Sequence, residues 1–121
     1  MASDWANAKL IVESQGGKFL AVLQPVAYLG SPNLTHLPEV RENELLKEQF
    51  AFVYPMFKEE LKKAGLDYLD LTNIFDGQEI LYFDFCHVSP PGNRKAARAI
   101  ADRLGHLSRA ARAKTSKKRV N

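Results

Sequence analysis

The sequence predicts an α/β fold: two parallel core strands with flanking helices, forming part of a three-layer α/β/α sandwich. Three observations carry that expectation. Residues 19–23 are an unbroken apolar run, the pattern of a strand buried on both faces as in a parallel sheet. Residues 68–71 form a second short strand-type run. Between and around these runs the apolar residues fall at helical spacing, so the order reads helix, strand, helix, strand, loop, helix. Strands separated by helices require right-handed crossovers and hence a parallel sheet covered on both faces.

The first helix is expected to be capped by Ser3 or Asp4, with Trp5, Ala8, Ile11 and Val12 on one face. Gly16 and Gly17 end it, since glycine accepts the left-handed conformation past a helix terminus. Gln24 and Pro25 close the first strand, because proline cannot donate to the next rung of a ladder. A polar loop through Gly30, Ser31, Pro32 and Asn33 leads to a helical region in which Pro38 suits the first turn. Val40, Leu45, Leu46, Phe50 and Val53 supply its apolar stripe, and Phe50, Phe52, Tyr54 and Phe57 read as helix core. Pro55 is expected to bend or interrupt this region, with helical spacing resuming at Met56 and stopping at Gly65. The second strand follows, then a turn at Phe75-Asp76-Gly77. Gly92 and Asn93 are expected to open a last helix with Ala96, Ala97, Ile100 and Leu104 on one face.

A chain of 121 residues forms one domain, and 45% hydrophobic with 26% charged residues is ordinary globular composition. No apolar run is long enough to span a membrane. The N-terminus shows no signal peptide, so a cytoplasmic location is the default expectation. The single Cys86 excludes an internal disulfide, and Asn33-Leu34-Thr35 reads as an accidental glycosylation match. Charge is strongly segregated. Residues 1–93 carry 7 Lys/Arg against 13 Asp/Glu, net −6; residues 94–121 carry 10 against 1, net +9. The domain is expected to occupy residues 1–107, with 108–121 a basic, disordered tail. Arg109, Arg112, Lys114, Lys117, Lys118 and Arg119 there could meet nucleic acid or an acidic surface, but no aromatic residue accompanies them for base stacking.

The chemistry-bearing segment runs from Tyr82 to Asn93 and contains Asp84 and His87 in an Asp-x-x-His spacing. It lies beyond the second strand, where open α/β sheets place their ligands. An imidazole there can take a proton from a nucleophilic hydroxyl and return it to a leaving group. A carboxylate on the other ring nitrogen fixes the tautomer. Asp84 is thus the candidate orienting acid and His87 the candidate base. Cys86 and His87 alone offer too few donors for a metal site, and His36 and His106 lack ligand spacing.

The stretch Asp84-Phe85-Cys86-His87-Val88-Ser89-Pro90-Pro91-Gly92-Asn93, followed by Ala96-Ala97-Arg98-Ala99-Ile100-Ala101, resembles the last sequence block of SGNH (GDSL-type) hydrolases. Residues 19–25 look like that family's penultimate core strand. Residues 67–71 with Ile74 and Phe75 look like its last strand and the turn after it. The resemblance runs from about Trp5 to Leu104 and covers only the C-terminal half of the fold. It implies a flavodoxin-like three-layer sandwich, ester hydrolysis or transfer without a cofactor, His87 as general base and Asp84 as its partner.

The chain departs from the family where the nucleophile should be. It has no Gly-Asp-Ser block and neither of the blocks that complete the oxyanion hole, and none of its serines (Ser3, Ser14, Ser31, Ser89, Ser108, Ser116) sits in a strand-to-turn elbow. A His–Asp pair without these has only water to activate. The expectation is therefore a truncated or split esterase, inactive alone and completed by a Ser-bearing half that would let it take an ester substrate. The alternatives are a non-catalytic interaction module pairing with another chain, or nucleic-acid or acidic-surface binding through the tail. An unpaired sheet edge is also expected to drive self-association.

Overall fold

Glycine sets the ends of the two longer helices that precede the second strand. The computed structural model describes residues 1–118, with side chains through Arg109. Helix α1 (Ala2–Ser14) stops where Gly16 adopts φ +75°; its N–H bonds Glu13 O, and Gly17 N–H bonds Val12 O, each at 3.0 Å. These two bonds use carbonyls the last turn would otherwise leave unpaired. The expected cap is corrected: the helix starts at Ala2 with Met1 in the cap position, two residues ahead of Ser3, and neither Ser3 nor Asp4 caps it. Asp4 instead pairs with the terminal amino group at 2.9 Å. The expected inward stripe is corrected too. Only Trp5 finds an aromatic partner, edge-to-face on Phe57 at 5.3 Å, while Ile11 is 67% exposed.

The sheet comprises β1 (Ala21–Leu23) and β2 (Tyr68–Asp70), parallel, with Ala21 opposite Tyr68 and Leu23 opposite Asp70. The ladder is shorter than the apolar run, because Phe19 and Leu20 lie half-buried ahead of it with no partner strand. Between the strands come α2 (Pro38–Arg41) and α3 (Glu44–Lys63). Pro38 occupies the first turn as expected. Asn43 then breaks the path and caps α3, accepting from Leu46 N–H at 3.1 Å. Pro55 does not interrupt α3. Proline forfeits one backbone bond there, and both halves of the helix are anchored, by Tyr54 to Gln24 O at 3.1 Å and by fully buried Leu61. Gly65, at φ +67°, ends α3 with the same pair of bonds seen in α1.

Side chains alternate across the strands. Leu23 and Asp70 face α3, whose Lys58 Nζ sits 2.6 Å from Asp70 Oδ2. Val22 faces the other way, toward Ala96 and Ile100 of α4 (Pro90–Lys118). An ion pair from Arg103 to Asp67 ties α4 to the residue before β2. The chain is thus a mixed α/β structure with four helices and a two-stranded parallel sheet among the described residues.

Helix α4 starts two residues ahead of Gly92. Ser89 Oγ accepts from Gly92 N–H at 3.4 Å, and Pro90 and Pro91 fill first-turn positions whose N–H groups need no helical partner. Its inward face uses Ala96, Ala99, Ile100 and Arg103; Ala97 and Leu104 point outward. The expected boundary at 107/108 coincides with no element end, since α4 continues to Lys118 through residues rich in Ala, Arg and Lys, all strong helix formers. The tail side chains expected to meet acidic partners lie, beyond Arg109, outside the described residues. No helix among the described residues is long and apolar enough to cross a membrane.

The tightest apolar cluster, Ala27, Phe75, Leu81 and Tyr82, lies under the loops at the carboxyl ends of the strands. Polar bonds knit those loops together. Asp76 Oδ1 accepts from Ser31 N–H at 2.6 Å, and Asn33 Nδ2 donates to Gln78 O at 2.7 Å. A rigid platform results, and the Asp84–His87 loop stands on it.

Candidate functional site

The loop is pinched at its base. Tyr82 and Val88 form an antiparallel bridge; Ser89 N–H bonds Leu81 O at 2.7 Å and Phe83 N–H bonds His87 O at 2.8 Å. From outside, Ala27 N–H holds Phe85 O at 2.8 Å, and His36 Nε2 donates to Tyr82 O at 2.7 Å. His36 is therefore a structural donor. Tyr82 is buried with its ring edge-to-face on Phe75 at 5.3 Å, and burial pushes its hydroxyl well above the ordinary range.

Asp84 and His87, named from the sequence, are brought together. Asp84 Oδ1 accepts from the N–H groups of His87 at 2.7 Å and Cys86 at 2.8 Å, while Oδ2 lies 2.7 Å from His87 Nδ1. The backbone bond from His87, then that from Cys86, then the imidazole, hold the Asp84 carboxyl well below the usual carboxylate range. An ionised carboxylate only accepts, so Nδ1 carries the ring proton. The lone pair is left on Nε2, the atom a general base uses. The His87 side chain is 76% exposed.

Beside His87 opens a cleft of about 430 Å³. Gln24 and Pro25, just past β1, and Leu71, just past β2, form one wall; Ala96 and Ile100 of α4 form another. Phe75 and Val88 add apolar surface, and Asn93 adds a polar group. The cleft sits where the carboxyl ends of parallel strands place ligand sites. Among the described residues no serine lines it. Ser89 Oγ caps α4, Ser31 is tied into the Asp76 turn by its backbone N–H, and Ser14 Oγ donates to Ile11 O at 2.8 Å.

Two features escaped the sequence. Tyr28, Phe50, Tyr54 and Phe85 form an aromatic cluster that steadies the loop from the α3 side, with Tyr28 and Phe50 stacked at 5.4 Å and Phe50 to Phe85 at 6.3 Å. The expected helix-core group is corrected accordingly: Phe52 is 68% exposed, and Phe57 packs on Trp5. The second feature is Cys86, whose Sγ lies 3.6 Å from His87 Nδ1, so Asp84, Cys86 and His87 form a three-donor group with ligand atoms within 4.8 Å of one another. Burial, followed by the Asp84 charge, pushes the Cys86 thiol up.

The arrangement can orient an imidazole and present its bare nitrogen beside an apolar cleft. No family model matches this chain, and neither does any curated protein or solved structure.

Proposed function

We propose that this chain is the histidine- and aspartate-bearing portion of an SGNH (GDSL-type) ester hydrolase, with the partial flavodoxin-like three-layer fold of that family. The observation that carries the reading is the 2.7 Å contact between Asp84 Oδ2 and His87 Nδ1 at the mouth of a cleft beyond two parallel strands. In this role His87 Nε2 is the general base toward a serine hydroxyl supplied by another polypeptide segment. Asp84 holds the tautomer and stabilises the imidazolium formed on proton transfer. The apolar cleft walls suit the acyl portion of an ester.

The test is hydrolysis of a short-chain p-nitrophenyl ester by this chain alone and after mixing with a segment carrying the family's Gly-Asp-Ser and oxyanion-hole blocks. Activity is expected only in the mixture, and His87→Ala removes it. A mixture no faster than its separate parts, or activity retained in His87→Ala, overturns the reading. A non-catalytic interaction module is the second reading, favoured by the outward Leu45, Phe52, Val53 and Met56 of α3.

A further inference from the structure

We propose that Asp84, Cys86 and His87 form a binding site for a single thiophilic divalent cation of the zinc type. The triad reading needs Asp84 and His87 but gives Cys86 no task, and a cysteine thiol on the Nε2 side would be required for it to act as the nucleophile. Cys86 instead lies on the Nδ1 side, the side Asp84 also occupies. Three different donors thus converge on one point of one loop, with ligand atoms within 4.8 Å of each other.

The distances suit coordination. Tetrahedral zinc with bonds of about 2.3 Å to sulfur and about 2.0 Å to nitrogen holds those two atoms about 3.5 Å apart. Cys86 Sγ and His87 Nδ1 already stand at 3.6 Å. The Asp84–His87 contact of 2.7 Å opens by about 0.7 Å to admit the ion. Asp84 Oδ1 remains fixed by two backbone N–H groups, so the carboxylate is held in place while Oδ2 turns to the metal. His87 is widely exposed, which leaves space for water as the fourth ligand.

The chemistry balances without a redox partner. The cation replaces the Cys86 thiol proton, which is released to solvent, and the imidazole proton moves from Nδ1 to Nε2. Thiolate and carboxylate together neutralise the +2 charge. The proposal stands independently of the esterase reading, with one consequence for it. A metal-bound ring carries its proton on the nitrogen that base catalysis needs bare, so occupancy and base activity exclude each other.

The test uses the full chain under reducing conditions and no ester. Titration with Co²⁺ is expected to give one equivalent of a near-ultraviolet thiolate-to-cobalt band. Competition against a chromogenic chelator is expected to give one Zn²⁺ per chain. Cys86→Ser, nearly isosteric and checked for unchanged far-ultraviolet dichroism, removes the band and weakens Zn²⁺ at least about tenfold; Asp84→Asn weakens Zn²⁺ to a similar degree without abolishing the band at saturating Co²⁺. Unchanged Zn²⁺ affinity in Cys86→Ser overturns the proposal. So does absence of the band, or a loss of binding that follows His36→Ala or His106→Ala instead.

Discussion

Asp84 directs its side chain entirely at its own loop, with one oxygen serving two backbone donors and the other the ring of His87. Its pKa is depressed on folding, so its stabilising contribution is complete above the ordinary aspartate value of about 3.9 and is lost only as pH falls through the lower folded value. The amide proton shifts of Cys86 and His87 are therefore expected to show no step near the ordinary aspartate value of about 3.9 and to report the carboxyl only at lower pH. A titration midpoint near 4 would show that the carboxylate is not held. Gly30 makes a second prediction. At φ +70° an added Cβ would collide with Asp76 Oδ1, the atom that receives Ser31 N–H. Gly30→Ala is expected to cost about 1–3 kcal/mol in urea unfolding, and a cost near zero would mean that the turn yields freely. The meeting of Asp84 and His87 was legible because two residues of spacing within one loop already confine both side chains to the same space. Cys86 was not, since which side of the ring its thiol occupies depends on turn geometry that no spacing encodes. The donor role of His36 was hidden for a different reason: its partner Tyr82 is 46 residues away.

Helix ends were readable from glycine, because only the left-handed residue after a helix lets the two closing bonds form, and Gly16 and Gly65 both supply it. Strand lengths were less readable. An apolar run reports burial, but a ladder extends only as far as its partner, and β2 offers three residues to the five of the run. Helical spacing likewise marks a face without saying what covers it, which is why Ile11 and Val53 point outward on regular helices. Pro55 does not interrupt α3 because propensity is a local cost that packing on either side overrides. That cost is still present in α3 and gives an element-scale prediction. Pro55 is exposed, so Pro55→Ala restores one backbone bond without disturbing the core and is expected to stabilise the chain by about 1–3 kcal/mol. The check is the chemical denaturation midpoint. A lower midpoint would show that the proline sets a bend on which the Tyr54 or Leu61 anchors depend.

At the scale of the whole molecule, two surfaces are candidates for the expected self-association. In a parallel ladder alternate residues turn both peptide groups toward the same neighbour. Leu23 O accepts from Leu71 N–H, so Leu23 is committed to β2 and Val22 turns its peptide groups to the far side. The three-residue ladder therefore leaves one outward residue on β1, Val22, and two on β2, Tyr68 and Asp70, and edges that short pair weakly. Helix α3 offers far more. Leu45, Phe52 and Met56 lie within one narrow stripe along its outer surface, with Val53 beside them, and all four are more than half exposed. A stripe along a helix is self-complementary about a two-fold axis, so a second copy can cover it with the same residues. Burying four large apolar side chains on each side favours association by several kcal/mol before the entropy of joining is counted, more than one rung of backbone pairing supplies. Light scattering during size-exclusion chromatography is thus expected to give a mass above the 13.6 kDa of one chain that falls on dilution. Phe52→Glu places a charge in the stripe without touching the sheet, the cleft or the Asp84–His87 loop, and it should return the protein to a monomer. A parent chain that is monomeric at every concentration would remove both surfaces from consideration. An oligomer that survives Phe52→Glu would point back to the sheet edges.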